Sequence, residues 1–189
     1  MQIVERKDRS ITIDGIVDRE IRSRNFKGEE KRNPVTGTIV NNAGRRNFLL
    51  YLPEDIAEEL KDRGCEVKYT KLRDPNDVAT PFIQIAVSYF IKPVEAVIRH
   101  PNGNIVQLDE AHVSQLDSFD FRNVCLVLEF GKEKVHPSNG VKYIPVFASS
   151  IFCDITPNYF SEKYGGYNTQ GATPVPPPPT GSPDGEIPF

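Results

Sequence analysis

Apolar and polar residues alternate along most of the first 160 positions, the period of a strand with one face in a core and one in water. In SITIDGIVDREIRSRNF, Ile11, Ile13 and Val17 fall in step, with Gly15 where a strand can bulge. In RNFLLYL, Phe48, Leu50 and Leu52 share a face. The period changes at LPEDIAEELKDRG, where Ile56 and Leu60 lie on one side of a helix. Pro53 suits its first position, Glu54 and Asp55 its first turn, Lys61 and Arg63 its last, and Gly64 its C-terminal cap. Strands resume with CEVKYTKL (65 to 72) and PFIQIAVSYFI (81 to 91), the latter setting Ile83, Ile85, Val87, Tyr89 and Ile91 on one side; RDPNDVAT is the loop between them. PVEAVIRHPNGNIVQL reads as a hairpin turning at Pro101, Asn102 and Gly103. DEAHVSQLDSF predicts a second short helix opened by Asp109, and NVCLVLEF and VKYIPVFASSIFCDI finish the sheet.

Many strands and one or two short helices predict a mainly β, mostly antiparallel protein. A small barrel buries such strands without leaving edges, and a sandwich satisfies the same period. The chain of 189 residues is sized for one core. Near Phe160 the composition changes: SEKYGGYNTQGATPVPPPPTGSPDGEIPF exchanges apolar residues for Gly, Pro, Ser and Thr, too little to offset ordering entropy. The expected organisation is therefore a folded domain over 1–160 and a disordered tail over 161–189. Within the tail, PVPPPP (Pro174 to Pro179) favours extended polyproline II, a semi-rigid spacer.

The start MQIVERKDRS carries no apolar leader, and no stretch offers the roughly 20 apolar residues of a membrane span, so a soluble cytosolic protein without membrane contact is expected. Cys65, Cys125 and Cys153 are odd in number and widely spaced, as are His100, His112 and His136. Neither set has disulfide or metal-ligand spacing, so three buried thiols and no metal or cofactor are expected. Acids in ELKDRG, RDPND and LDE look like caps and loops rather than a metal-dependent nuclease site, and no catalytic residue is assigned.

Net charge is −3, but it is unevenly spread: residues 1–50 carry +4, 51–160 carry −5 and the tail −2. The basic excess lies in REIRSRNFKGEEKR and GRR. If IRSRNF is extended, Arg22, Arg24 and Phe26 share a face. Cations that follow phosphates beside a ring that stacks an unpaired base are what single-stranded nucleic acid needs. Lys27, Arg45, Arg46, Tyr51 and Lys68 join this set, because Tyr51 alternates away from Phe48 and Leu50, and Lys68 away from Val67 and Tyr69. The competing placement for each ring is the core.

The ordered segments RNFKG (24 to 28), GRRNF (44 to 48), LPEDIAEELKDRGCEVKY (52 to 69), LDEAHVSQLDSFDFRNVCL (108 to 126) and GVKYI (140 to 144) resemble those of phage-encoded single-stranded DNA-binding proteins. That resemblance, over roughly Ile11 to Ile155, implies an OB-like barrel and a single-stranded DNA partner. The final DGEIPF is similar to the tip of bacterial single-stranded DNA-binding proteins, an acidic run before Ile-Pro-Phe that recruits replication and recombination proteins. In this resemblance Ile187, Pro188 and the Phe189 ring enter an apolar pocket, the terminal carboxylate meets a cation at its rim, and Asp184 and Glu186 add attraction. Gly185 interrupts the acids and makes that attraction more salt-sensitive.

These features imply non-catalytic, sequence-tolerant binding and protection of single-stranded DNA in phage replication or recombination, in the cytoplasm of a bacterial host near its nucleoid. Strand annealing uses the same surface and stays open. So does an adaptor module whose PxxP tail docks on aromatic grooves.

Overall fold

The computed structural model describes residues 1–156 except Arg73, Pro75, Ile91 and Ser138. The expected domain boundary at 160, the Pro-rich spacer and the tip residues Asp184, Glu186, Ile187, Pro188 and Phe189 lie outside the described residues. The strands are β1 (Gln2–Lys7), β2 (Ser10–Ile16), β3 (Ile21–Asn25), β4 (Lys31–Arg32), β5 (Ile39–Asn41), β6 (Arg46–Tyr51), β7 (Lys68–Tyr69), β8 (Pro81–Val87), β9 (Glu95–Arg99), β10 (Ile105–Leu108), β11 (Phe121–Phe130), β12 (Lys134–Val135), β13 (Lys142–Tyr143) and β14 (Val146–Ile155). Helix α1 (Glu54–Asp62) follows β6, and Asp18–Glu20 and Val113–Asp117 form short 3-10 turns. The second of these stands where a second helix is expected.

Ten strands form one barrel-like sheet in the order β1-β2-β11-β14-β8-β6-β3, with β9, β10 and β7 joined to its side. β14 is the branch point: Val146 to Ala148 pair with β8, and Ser150 to Asp154 with β9. Both pairings are parallel, in a sheet whose other strand pairings are antiparallel, as the mostly antiparallel reading of the sequence allows. A period of two reports which face a residue takes, not which strand lies beside it or in which direction. Ile13, Leu50, Ile85, Leu126 and the α1 residue Leu60 all lie in one shared core.

Alternation holds where no residue is inserted. Phe48 and Leu50 on β6, Ile83, Ile85 and Val87 on β8, and Val124, Leu126 and Leu128 on β11 all point inward. On β2 it breaks at the expected glycine. Gly15 has φ +74°, and the register with β11 shifts between Ile13 and Ile16, so Ile16 rather than Val17 becomes the buried residue. The helix begins one residue later than expected, with Pro53 at its cap, while Gly64 at φ +83° closes it as predicted. β1 and the β4–β5 hairpin have no apolar alternation to announce them; β1 is extended because it pairs along β2.

All three cysteines are free. Cys65 and Cys153 are buried, whereas Cys125 is half-buried, which corrects the expectation of three buried thiols. Burial disfavours the thiolate and pushes Cys65 up to about 11 and Cys153 up to about 12.

Candidate nucleic-acid interface

The pairing of β3, β6, β8 and β7 sets the outward residues in rows across the sheet. Arg22 lies opposite Leu49, which lies opposite Gln84. One step along β6, Tyr51 faces Phe82, which faces Lys68 on β7. The rings of Tyr51 and Phe82 stack at 5.4 Å between centroids and 25° between planes. Both are half-buried, so part of each ring stays open. Lys68 is exposed and forms an ion pair with Glu66 at 3.3 Å; Arg22 is exposed and donates from Nε to the Arg19 carbonyl at 2.8 Å. Aromatic faces between exposed cations make a surface for an unpaired, charged polymer.

Phe82 is the functional candidate that the sequence reading missed, although its signal was present. If Ile83, Ile85 and Val87 face inward, Phe82 must face outward, with Gln84 and Ala86 as its companions on β8.

Arg24 and Phe26 do not join this face, contrary to the sequence reading. Ser23 adopts φ +50°, and the β3–β6 register slips between Arg22 and Asn25. The extra residue reverses the facing of Arg24 and its successors, as any one-residue slip in a strand does. Phe26 is consequently 2% exposed and stacks on Phe48 inside the core at 5.4 Å. Arg24 turns to an ion pair with Asp18, a hydrogen bond to the Phe119 carbonyl and the face of Phe121, its guanidinium 4.1 Å from the ring centre. Both residues hold the domain together, and Phe26 is no stacking platform.

Arg45 and Arg46 separate in the same way. Arg45 is exposed, and no side-chain hydrogen bond or ion pair engages it among the described residues. Arg46 is committed: its Nη1 donates to Glu110 at 2.9 Å, its guanidinium lies 5.5 Å from the centre of the Tyr89 ring, and Gly28 at φ +76° leaves room for its stem. Lys27 is exposed and pairs with Glu29 at 2.6 Å.

Three asparagines tie the β4–β5 hairpin to this end of the sheet. Asn25, 2% exposed, donates to the carbonyls of Glu29 and Arg45 and accepts from the Glu29 amide. Asn47 donates to Asn41 Oδ1 at 2.6 Å, and Asn41 in turn donates to the Arg45 carbonyl at 2.8 Å. Amide side chains with two donors and an acceptor satisfy the loop carbonyls that no strand partner reaches.

The model of the family described as "Putative phage ssDNA-binding domain" matches residues 1–172. The chain belongs to this phage ssDNA-binding family. No curated protein matches it. Among solved structures it is similar to the single-stranded DNA-binding protein from bacteriophage Enc34. The complex of that protein with ssDNA aligns with a TM-score of 0.49 and 9% identity, over 80% of this chain and 89% of that one. Another structure of the Enc34 protein aligns with a TM-score of 0.48 and 10% identity, over 87% and 99%.

Within a phage ssDNA-binding domain, the sequence candidates thus sort by geometry. Arg22 and Arg45 stand open toward solvent; Tyr51, with Phe82 added, is half-buried on the outer face; Lys27 and Lys68 are open but each paired to an acid; Arg24, Phe26 and Arg46 are engaged within the fold.

Proposed function

We propose that this protein binds single-stranded DNA with little sequence preference on the outer face of β3, β6, β7 and β8, and coats exposed strand without performing chemistry. The observation that carries this reading is the stacked Tyr51–Phe82 pair set between Lys68 and the Arg22 row. Ring faces accept any base, and the cations follow the phosphates without reading sequence. Duplex DNA keeps its bases stacked inside, so the rings have nothing to take up. Family membership supports the same partner.

The test is a pair of titrations with single-stranded and duplex DNA of equal length and mixed sequence. Single strands are expected to bind much more tightly, with little change when the sequence is scrambled. Equal affinity for the duplex would reject the stacking mechanism.

The wider role comes from the chain beyond the domain. Coating a strand traps unstacked bases and suppresses hairpins, while Asp184, Glu186, Ile187, Pro188 and Phe189 recruit replication or recombination proteins to the coated DNA. A tethered tip raises the local concentration of its partner there without any added contact. The setting is the cytoplasm of the phage's bacterial host, at its nucleoid.

A further inference from the structure

We propose that Asn25 and Asn41 are positioning residues for DNA binding: their side-chain amides clamp both ends of the β4–β5 arm onto the outer face and fix the backbone from which Arg45 meets a phosphate of the bound strand. This rests on the DNA-binding reading of that face.

Asn25 is buried where the sheet should be open to water. It lies opposite Asn47, and Asn47 opposite Ala86, so it belongs to the next outward row after Arg22, Leu49 and Gln84. Alternation along β6 sets this order, with Tyr51, Leu49 and Asn47 sharing the outer side. Yet Asn25 is 2% exposed, the one buried polar side chain among the described residues. A side chain on the outer side of a sheet is buried only when chain lies across it. The partners of Asn25 identify that chain as the two ends of the arm, at Glu29 and Arg45.

The clamp is double. Nδ2 of Asn25 donates to the Glu29 carbonyl at 2.9 Å and to the Arg45 carbonyl at 3.2 Å; Nδ2 of Asn41 donates to the same two, at 3.2 and 2.8 Å. Asn25 Oδ1 accepts from the Glu29 amide at 3.0 Å, and Asn47 orients Asn41 by donating to its Oδ1 at 2.6 Å. The Gly44 amide closes the base of the arm on the Gly28 carbonyl at 2.8 Å. A primary amide offers two donors and an acceptor at once, whereas a carboxylate of the same shape would set charge against both carbonyls.

What the clamp holds still is Arg45. Its amide donates to the Asn42 carbonyl at 3.2 Å and its carbonyl accepts from both asparagines, so the backbone is fixed on either side of its Cα. Its guanidinium is exposed, and no side-chain hydrogen bond or ion pair engages it among the described residues. The next residue, Arg46, is already engaged by Glu110. A cation whose backbone is ordered beforehand loses less freedom on meeting a phosphate, which raises affinity without a new contact.

The test is a double-mutant cycle on the full chain, with oligothymidylate of about 16 nucleotides as the probe and anisotropy read across a salt series. Arg45→Ala should weaken binding and flatten the dependence of log affinity on log salt by about 0.7, the share of one phosphate. Asn41→Ala keeps every cation, yet it should weaken binding by about 2-fold or more and flatten the slope in the same direction. Once Arg45→Ala is present, adding Asn41→Ala should change neither. Asn25→Ala should behave like Asn41→Ala but melt lower, because its side chain is buried. Asn41 is only half-buried, so its variant carries the test even where Asn25→Ala does not fold.

An equal loss from Asn41→Ala with and without Arg45 would mean that the amides only hold the fold, and would overturn the proposal. So would parent-like affinity and slope in Asn41→Ala or in Arg45→Ala. In each of these cases a loss of affinity in Tyr51→Ala leaves the primary face standing. Absence of binding by the parent chain would remove both readings.

Discussion

Tyr51 and Phe82 lean on one another outside the core, so each can lose its ring without opening a cavity. Tyr51→Ala and Phe82→Ala should each lose about 1 to 3 kcal/mol of affinity for single-stranded DNA, read by anisotropy, with nearly unchanged melting. Phe26 is the opposite case. Its ring is buried against Phe48, and Phe26→Ala should destabilise the domain by about 3 to 5 kcal/mol in chemical denaturation. If Phe26→Ala melts like the parent but loses DNA, the ring belongs on the outer face after all. What buries Phe26 is one residue of register, which Ser23 changes and the alternation of its neighbours does not reveal.

That inserted residue belongs to β3 as an element. Positive φ is costly for residues with a Cβ and costs least for glycine, so Ser23 at +50° is the point where the strand departs from its regular path. Ser23→Gly should therefore leave thermal stability unchanged or slightly higher, while the β-branched Ser23→Val should lower it by about 1 to 3 kcal/mol. If Ser23→Val melts like the parent, β3 has no bulge there, and the facing of Arg24 and Phe26 must be drawn again. Legibility at this scale has the same physical basis. The faces of β6, β8 and β11 and the limits of α1 can be read because burial imposes their period. The β2 bulge is legible because a glycine marks it, and the β3 bulge is not because serine does not. β1 and the β4–β5 hairpin give no signal, since their backbones are held by a neighbouring strand and by asparagine amides rather than by a buried stripe.

For the whole molecule, charge distribution matters more than its sum. A net −3 would repel DNA if it were spread evenly, but the first 50 residues carry +4, and Arg22 and Arg45 of that set stand open to solvent. The sequence shows this excess but not its division into free and engaged cations, because Asp18 and Glu110 reach Arg24 and Arg46 only through the tertiary fold. Each phosphate neutralised on a single strand contributes about 0.7 to the dependence of log affinity on log salt. Replacing Arg22, Arg45 and Lys68 together with Ala should then flatten that slope by about 2. An unchanged slope in the folded triple variant would move the electrostatic surface elsewhere. The proposed tip contact involves a different partner and calls for a separate measurement. Full-length protein immobilised on single-stranded DNA should capture a replication or recombination protein from phage-infected host extract, and Phe189→Ala should abolish the capture while DNA affinity holds, since Asp184, Glu186 and the terminal carboxylate stay in place. A rise is expected only when Asp184 and Glu186 are themselves removed, since these acids would compete with phosphates for the basic face, and it should vanish in high salt. Adding residues after Phe189 keeps the ring and both acids but moves the carboxylate away. If the extended chain captures the same protein as the parent, the carboxylate is not part of what is recognised; if Phe189→Ala captures it too, the tip has no part in recruitment.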